Sequence, residues 1–163
     1  MKNTKYHHYL LLFIGVVFFV FSKQTAQAQK LTEEHCTTHF NLENGVAIEG
    51  YDVVSYFVEE KPQKGKASIS AKYLGVIYRF ATKEHRELFV KNPQKYIPQY
   101  GGWCAYAMGS KGEKVNMNPE NYKIVDGKLY LFYKTFFSDT LDDWNEDEEN
   151  LKKKANENWS EVK

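Results

Sequence analysis

The sequence predicts a small single domain of the α+β class, with two β-hairpins, several short helices and a C-terminal helical tail. Residues 68–81 alternate apolar and polar side chains around Leu74-Gly75. Residues 122–133 do the same around Asp126-Gly127, a dipeptide that favours the positive backbone angles of a two-residue turn. In residues 139–163 acids precede lysines, as helix dipoles and i,i+4 pairing favour. The patterns therefore predict hairpins and helices within one domain.

The first 28 residues are predicted to be a cleavable secretory signal. Lys2 and Lys5 precede an unbroken apolar run at residues 9–21, and the following polar stretch ends in Ala-Gln-Ala at residues 26–28, a pattern that signal peptidase accepts. The alternative is an uncleaved membrane anchor, but a spanning helix needs roughly 20 apolar residues. We therefore expect cleavage after Ala28 and an exported protein, periplasmic or secreted, that is not held in a membrane afterwards.

The mature chain would begin at Gln29 and have about 135 residues, which is one domain's worth. The signal would take three of the 22 basic residues and none of the 21 acidic ones, leaving a slight acidic excess. Such a near-neutral domain offers no electrostatic reason to bind nucleic acid. We divide the mature chain into a lead-in (29–45), a central domain (46–135) and a charged tail (136–163).

Local signals predict the first helices and turns in order. Thr32 is placed to cap a short helix that begins with Glu33 and Glu34, where the helix dipole favours acids. Asn44-Gly45 marks a turn. Asp52 predicts the N-cap of a helix over residues 53–59.

The later helices are predicted from caps and breakers. Thr82 is the expected N-cap of a helix that Pro93 breaks or restarts. Its buried side should hold Leu88, Phe89 and Tyr96. Residues 103–108 indicate a buried helical turn. The tail should form a helix or helix pair, docked through a stripe of four apolar side chains: Trp144, Leu151, Ala155 and Trp159.

Two histidines and a cysteine near the start form one candidate metal site. On a helix, His35 and His39 share a face, with Cys36 beside them, and imidazole and thiolate groups bind zinc or copper. The alternative is a surface helix that carries two histidines by chance.

His85 and Cys104 are the other candidates. His85 is expected on an apolar helix face, as a ligand or as a hydrogen-bonded core residue. Cys104 follows Gly101-Gly102, and if it begins a helix the dipole would favour its thiolate; the alternative is a small buried core residue. In an exported protein Cys36 and Cys104 could also form a disulfide.

The sequence contains no Ser-His-Asp arrangement, no glycine-rich phosphate loop and no paired-carboxylate site. These absences favour a protein that is not an enzyme.

Three blocks of sequence resemble YHS domains. Residues 73–96 (YLGVIYRFATKEHRELFVKNPQKY) resemble the central stretch of the family, whose pattern is Tyr-x-Gly-x-x-Tyr, an aromatic pair, a helix and Asn-Pro-x-Lys-Tyr. Residues 50–57 (GYDVVSYF) and 101–107 (GGWCAYA) resemble flanking motifs of the exported branch, often labelled YHS domain-containing (seleno)proteins. The resemblance covers about residues 42–135.

The resemblance implies metal handling, because YHS domains occur beside copper-transporting ATPases, where their cysteines are implicated in metal binding. This chain departs from that pattern. Ala81 and His85 stand where the two cysteines are expected, and the Tyr-His-Ser triplet is replaced by residues 69–71 (Ile-Ser-Ala). His85 and Cys104 therefore remain as candidate ligands within the family core.

Three function hypotheses follow. The first is an exported YHS-like binding module that takes a metal ion (copper, zinc or iron) or a small ligand through Cys104 and His85. The second is a thiol-redox protein with Cys104 as its active group. The third is a structural or interaction domain without chemistry, whose protein partner the sequence does not name.

Overall fold

The computed structural model of this protein describes residues 31–162, and the predicted signal lies outside them. The helices of the described part are Glu33–His39 (α1), Ser55–Val58 (α2), Lys83–Lys91 (α3), Pro93–Tyr96 (α4), Ala105–Lys111 (α5), Thr140–Glu146 (α6) and Glu148–Ser160 (α7). Its strands are Leu42–Glu43 (β1), Val46–Ala47 (β2), Lys66–Tyr73 (β3), Val76–Phe80 (β4), Asn118–Val125 (β5) and Lys128–Phe132 (β6). None of the helices in residues 31–162 is long and apolar enough to span a membrane.

The α+β prediction is confirmed, and so are both hairpins. The order β1-β2-β4-β3 makes a four-stranded mixed sheet, in which β2 runs parallel to β4 through Val46 and Ile77. Strands β5 and β6 form a separate two-stranded sheet. At both hairpin turns, Leu74-Gly75 and Asp126-Gly127, each residue has a positive φ, as a two-residue turn between twisted strands requires.

The central strand β4 organises the larger core. Val76, Tyr78 and Phe80 alternate into the interior, and Phe89 of α3 packs on the last two with ring centroids 4.6 and 5.2 Å away. Leu88 was expected on the same buried side but is 40% exposed, so that prediction is wrong. The buried stripe of this nine-residue helix runs through His85 and Phe89 at i,i+4, and Leu88 lies about 100° around the helix from Phe89.

Two of the three predicted N-caps are confirmed. The hydroxyl of Thr32 accepts from the His35 amide, and that of Thr82 accepts from the His85 amide, both at 3.1 Å. The third prediction is wrong in its bounds, because α2 begins at Ser55 rather than at residue 53. The carboxylate of Asp52 does accept from the Val54 amide, but its other oxygen is engaged elsewhere in the fold.

The tail is a helix pair, as predicted, and it docks through the predicted stripe. Trp144, Leu151 and Ala155 are buried in a second core cluster, and the partly buried Trp159 packs against it. The cluster also takes in side chains from α5, from β6 and from the turn before α5: Ala105, Met108, Tyr130, Phe132 and Tyr100. The tail helices therefore share a core with the residues that precede them.

Candidate functional site

Asp52 is the most connected polar side chain of the larger core. It is fully buried, and its two carboxylate oxygens accept from the backbone amides of Val54 (2.9 Å) and Ala81 (2.8 Å). The oxygen bonded to Ala81 also lies 2.6 Å from Nδ1 of His85. The carboxylate thus joins the loop before α2 to the junction of β4 and α3. In the YHS resemblance, positions 81 and 85 are those of the two expected cysteines, and here both positions contact Asp52.

The other imidazole nitrogen of His85 faces a second carboxylate. Its Nε2 lies 3.6 Å from Oε1 of Glu59, whose side chain is about one-third exposed. A buried carboxylate on Nδ1 orients the ring and leaves Nε2 to face the outer group, an arrangement also found behind metal-ligating histidines. The site can therefore hold a proton between His85 and the carboxylates, or present Nε2 and Glu59 together to a cation.

Cys104 lies elsewhere in the fold and points into the interior. It is the N-cap residue of α5, which begins at Ala105 rather than at residue 103 of the predicted helical turn, and its side chain makes no capping bond and is fully buried. Its sulfur accepts from the Tyr133 amide at 3.3 Å and lies 3.4 Å from the Thr140 hydroxyl. That hydroxyl lies 2.9 Å from the Tyr133 carbonyl. These contacts direct the sulfur towards the junction of β6 and α6.

His85 and Cys104, expected to act together, have separate sets of partners. His85 is held by Asp52 and Glu59, whereas Cys104 contacts Thr140 and Tyr133. Within residues 31–162 no group of three or more His, Cys, Asp or Glu side chains is arranged to hold a metal ion.

The candidate metal site near the start of the chain, made of His35, Cys36 and His39, is divided between surface and core. The rings of His35 and His39 lie side by side on α1 with centroids 5.0 Å apart, but Cys36 is buried and burial raises the pKa of its thiol to about 11. Burial and the neighbouring positive groups of His39 and Lys114 lower the pKa of His35. The Nζ of Lys114 lies 3.0 Å from Nδ1 of His39, so a cation already occupies the place beside that ring. Cys36 and Cys104 are both free thiols.

Sequence reasoning missed a loop that carries two adjacent phenylalanines. Phe136 and Phe137 are 94% and 93% exposed, and their rings pack edge to face with centroids 4.9 Å apart. They lie in the aromatic loop, which we define as residues 134–139. Two adjacent phenylalanines flanked by polar residues, outside any alternating strand pattern, were the available signal. Glu59 was also missed, and no local pattern marks it.

Comparison of the sequence with protein-family models, with curated proteins and with solved structures found no match. The resemblance of residues 42–135 to YHS domains therefore stays a prediction.

Proposed function

We propose that this protein is a non-catalytic interaction module that binds a partner protein through the aromatic loop. The observation that carries the proposal is the nearly complete exposure of Phe136 and Phe137. Burial of one phenylalanine side chain is worth about 1.5–3 kcal/mol, so two of them held in water represent a large unused driving force for association. Contiguous exposed apolar surface is typical of an interaction site.

The loop is anchored at its base, so its tip is held in place before any partner arrives. Lys134 and Asp139 form an ion pair at 2.5 Å, and the Thr135 amide donates to the Ser138 carbonyl at 2.8 Å. Asn121 of β5 donates to Asp139 at 2.8 Å. The hydrogen bond from Lys134 lowers the pKa of the Asp139 carboxyl, so the pair is ionised at neutral pH. A preorganised loop loses less conformational entropy on binding.

The charges around the loop favour a particular partner chemistry. The first turn of α6, directly after the loop, exposes Asp142 and Asp143, and Glu146 and Asp147 follow. The lysine within the loop, Lys134, is paired with Asp139. These acids would be repelled by an anionic lipid surface. The complementary partner is a protein with an apolar pocket bordered by Lys and Arg.

A photo-crosslinking amino acid at position 137 tests this function in the cells that make the protein. We expect it to give a discrete product with another protein, whereas the same group at Val90, an exposed apolar position on α3, does not. With the captured protein purified, F136S/F137S and the charge reversal D142K/D143K should each weaken binding by about 10-fold or more.

A loss of affinity in F136S/F137S can be attributed to the missing phenylalanines only if the variant stays folded. Since both phenylalanines are exposed, F136S/F137S should leave the urea midpoint of unfolding unchanged. Unaltered affinity in both variants would contradict the proposal, as would crosslinking only to lipid or to a second copy of the chain.

A second candidate function retains metal binding but replaces the predicted ligand Cys104 by Glu59. The specific observation is that Asp52 bonds Nδ1 of His85 while Nε2 lies 3.6 Å from Glu59. Zinc forms bonds of about 2 Å to imidazole nitrogen and to carboxylate oxygen, so one ion could lie between these atoms, with water as its remaining ligands. Asp52 would orient the ring.

Titration with Zn²⁺ or Cu²⁺ tests that candidate. In a H35Q/H39Q background, which removes the other imidazole pair, we expect one bound ion per chain. E59Q should weaken binding by about 10-fold, since it removes one charged ligand and leaves the Asp52 bond intact. The neighbouring E60Q and the distant C104S should bind as the background does. Absence of stoichiometric binding, or equal affinity in E59Q, would rule it out.

A further inference from the structure

A groove on the four-stranded sheet contains an arginine, Arg79, whose side chain has no ion-pair partner among residues 31–162. The groove has a volume of about 460 Å³ and lies on the side of β4 opposite the larger core. Its walls include Arg79 and Ile77 of β4, Val46 of β2, and two acidic residues, Glu43 and Glu49. Among the described residues, Arg79 forms no ion pair within 4 Å, although two acidic residues line the same groove.

The backbone around Arg79 is shaped to accommodate it. A Cβ at Gly65 would lie 2.5 Å from the Arg79 carbonyl carbon, and one at Gly50 would lie 3.4 Å from its Cδ and Nη1. The pairing of β3 with β4 slips between Lys66 and Ser70, opposite Arg79, so the strand bulges beside the groove. A side chain at Gly65 would clash with the backbone of Arg79, so the glycine lets this segment lie against β4, whereas a Cβ at Gly50 would only touch the arginine side chain.

Glu49 reaches the groove from an unusual turn. Ile48, Glu49 and Gly50 all have positive φ values (48°, 50° and 79°), a conformation that β-branched residues such as isoleucine rarely adopt. The turn is fixed from both sides, because the Tyr51 amide donates to the Ile48 carbonyl and Lys64 donates to the Glu49 carbonyl. The turn places Glu49 at the groove wall, where its carboxylate forms no ion pair with Arg79.

We propose that this groove binds a small apolar zwitterion, a free amino acid or a short peptide. Arg79 can take the ligand carboxylate in a bidentate pair, while Glu43 and Glu49 accept from its ammonium group. Val46 and Ile77 supply apolar surface for an aliphatic side chain. A ligand with both charges satisfies all three ionised groups, whereas an anion would be repelled by the two glutamates. This site is independent of the aromatic loop.

Nuclear magnetic resonance titration of the purified, ¹⁵N-labelled protein tests the proposal. Leucine and leucyl-leucine are the two zwitterionic probes, and comparing them distinguishes an amino acid site from a peptide site. We expect saturable shifts at residues 43–50 and 77–79. Leucinamide, which lacks the carboxylate, and N-acetylleucine, which lacks the ammonium group, should each bind about 10-fold more weakly.

Variants separate binding from folding. R79Q should weaken leucine binding by about 10-fold and keep the unfolding midpoint, because Arg79 makes no side-chain bond in the described residues. K72Q, an exposed change on β3, and F136S/F137S should bind leucine as the unaltered protein does. The proposal fails if neither zwitterion gives saturable shifts, if R79Q binds as tightly, or if spermidine, a polycation, binds better than leucine.

Discussion

Replacing Asp52 with alanine is expected to lower the free energy of unfolding by about 3–5 kcal/mol, because each buried hydrogen-bonding group left without its partner costs about 1–3 kcal/mol. The carboxylate accepts from the amides of Val54 and Ala81 and bonds Nδ1 of His85. Alanine would leave two backbone donors and an imidazole nitrogen without their partner in a region closed to water. Urea denaturation followed by circular dichroism measures the change. An unaltered m value would show that the variant exposes as much surface on unfolding as the unaltered protein does.

Asp126→Asn is the matched control for this experiment. Asp126 lies at the β5–β6 turn with its side chain 75% exposed, and asparagine suits the same positive-φ turn position. Its effect should stay within about 0.5 kcal/mol. A loss in Asp52→Ala no larger than in the control would show that the Asp52 network does not hold these elements together. A double-mutant cycle with His85→Ala measures how much of the loss belongs to their contact.

Replacing Gly109 with alanine is expected to destabilise the protein by about 1–3 kcal/mol, the usual cost of overpacking a close contact. A Cβ at this position would lie 2.5 Å from the carbonyl oxygen of Leu151, which belongs to the backbone of α7 and cannot rotate away. Helix α7 would have to move, although Asn158 holds it to the Met108 carbonyl at 2.7 Å. The loss should appear even though alanine is favoured over glycine inside a helix by about 1 kcal/mol.

Amide hydrogen exchange distinguishes local undocking of the tail from general destabilisation. We expect exchange in α7 to speed up while amides of β3 and β4 keep most of their protection, because those strands belong to the other core cluster. Ser110→Ala, an exposed change one residue further along α5, should alter neither measurement. Unchanged stability and exchange in Gly109→Ala would mean that α5 and α7 are not tightly packed at this crossing.

The features that the sequence predicted well depend on contacts within a few residues. The caps of Thr32 and Thr82 bond amides three residues away, and the Asp126-Gly127 turn needs only its own backbone angles. The tail stripe follows from helical spacing. Leu88 was placed wrongly because spacing shows which residues share a face but does not give the width of the face that is buried.

The candidate sites depended on contacts that no local pattern contains. Ala81 and His85 lie 29 and 33 positions after Asp52 in the sequence, and both contact its carboxylate. The amide that reaches the Cys104 sulfur belongs to Tyr133, which is 29 positions further along the chain. The sequence therefore listed His85 and Cys104 as chemically capable groups, but it had no means of showing that they have different neighbours. The groove at Arg79 likewise arises where strands from separate segments meet.

By itself the sequence determined the α+β class, the two hairpins, two helix caps and the docked tail, since each follows from backbone preference or from the period of apolar residues. It also predicts the export signal, which lies outside the described residues. Only the tertiary structure decided that Asp52 and Glu59 are the neighbours of His85, that Cys104 points inward, and that two phenylalanines remain in water. The reason is that burial and side-chain partners are set by which distant segments pack together.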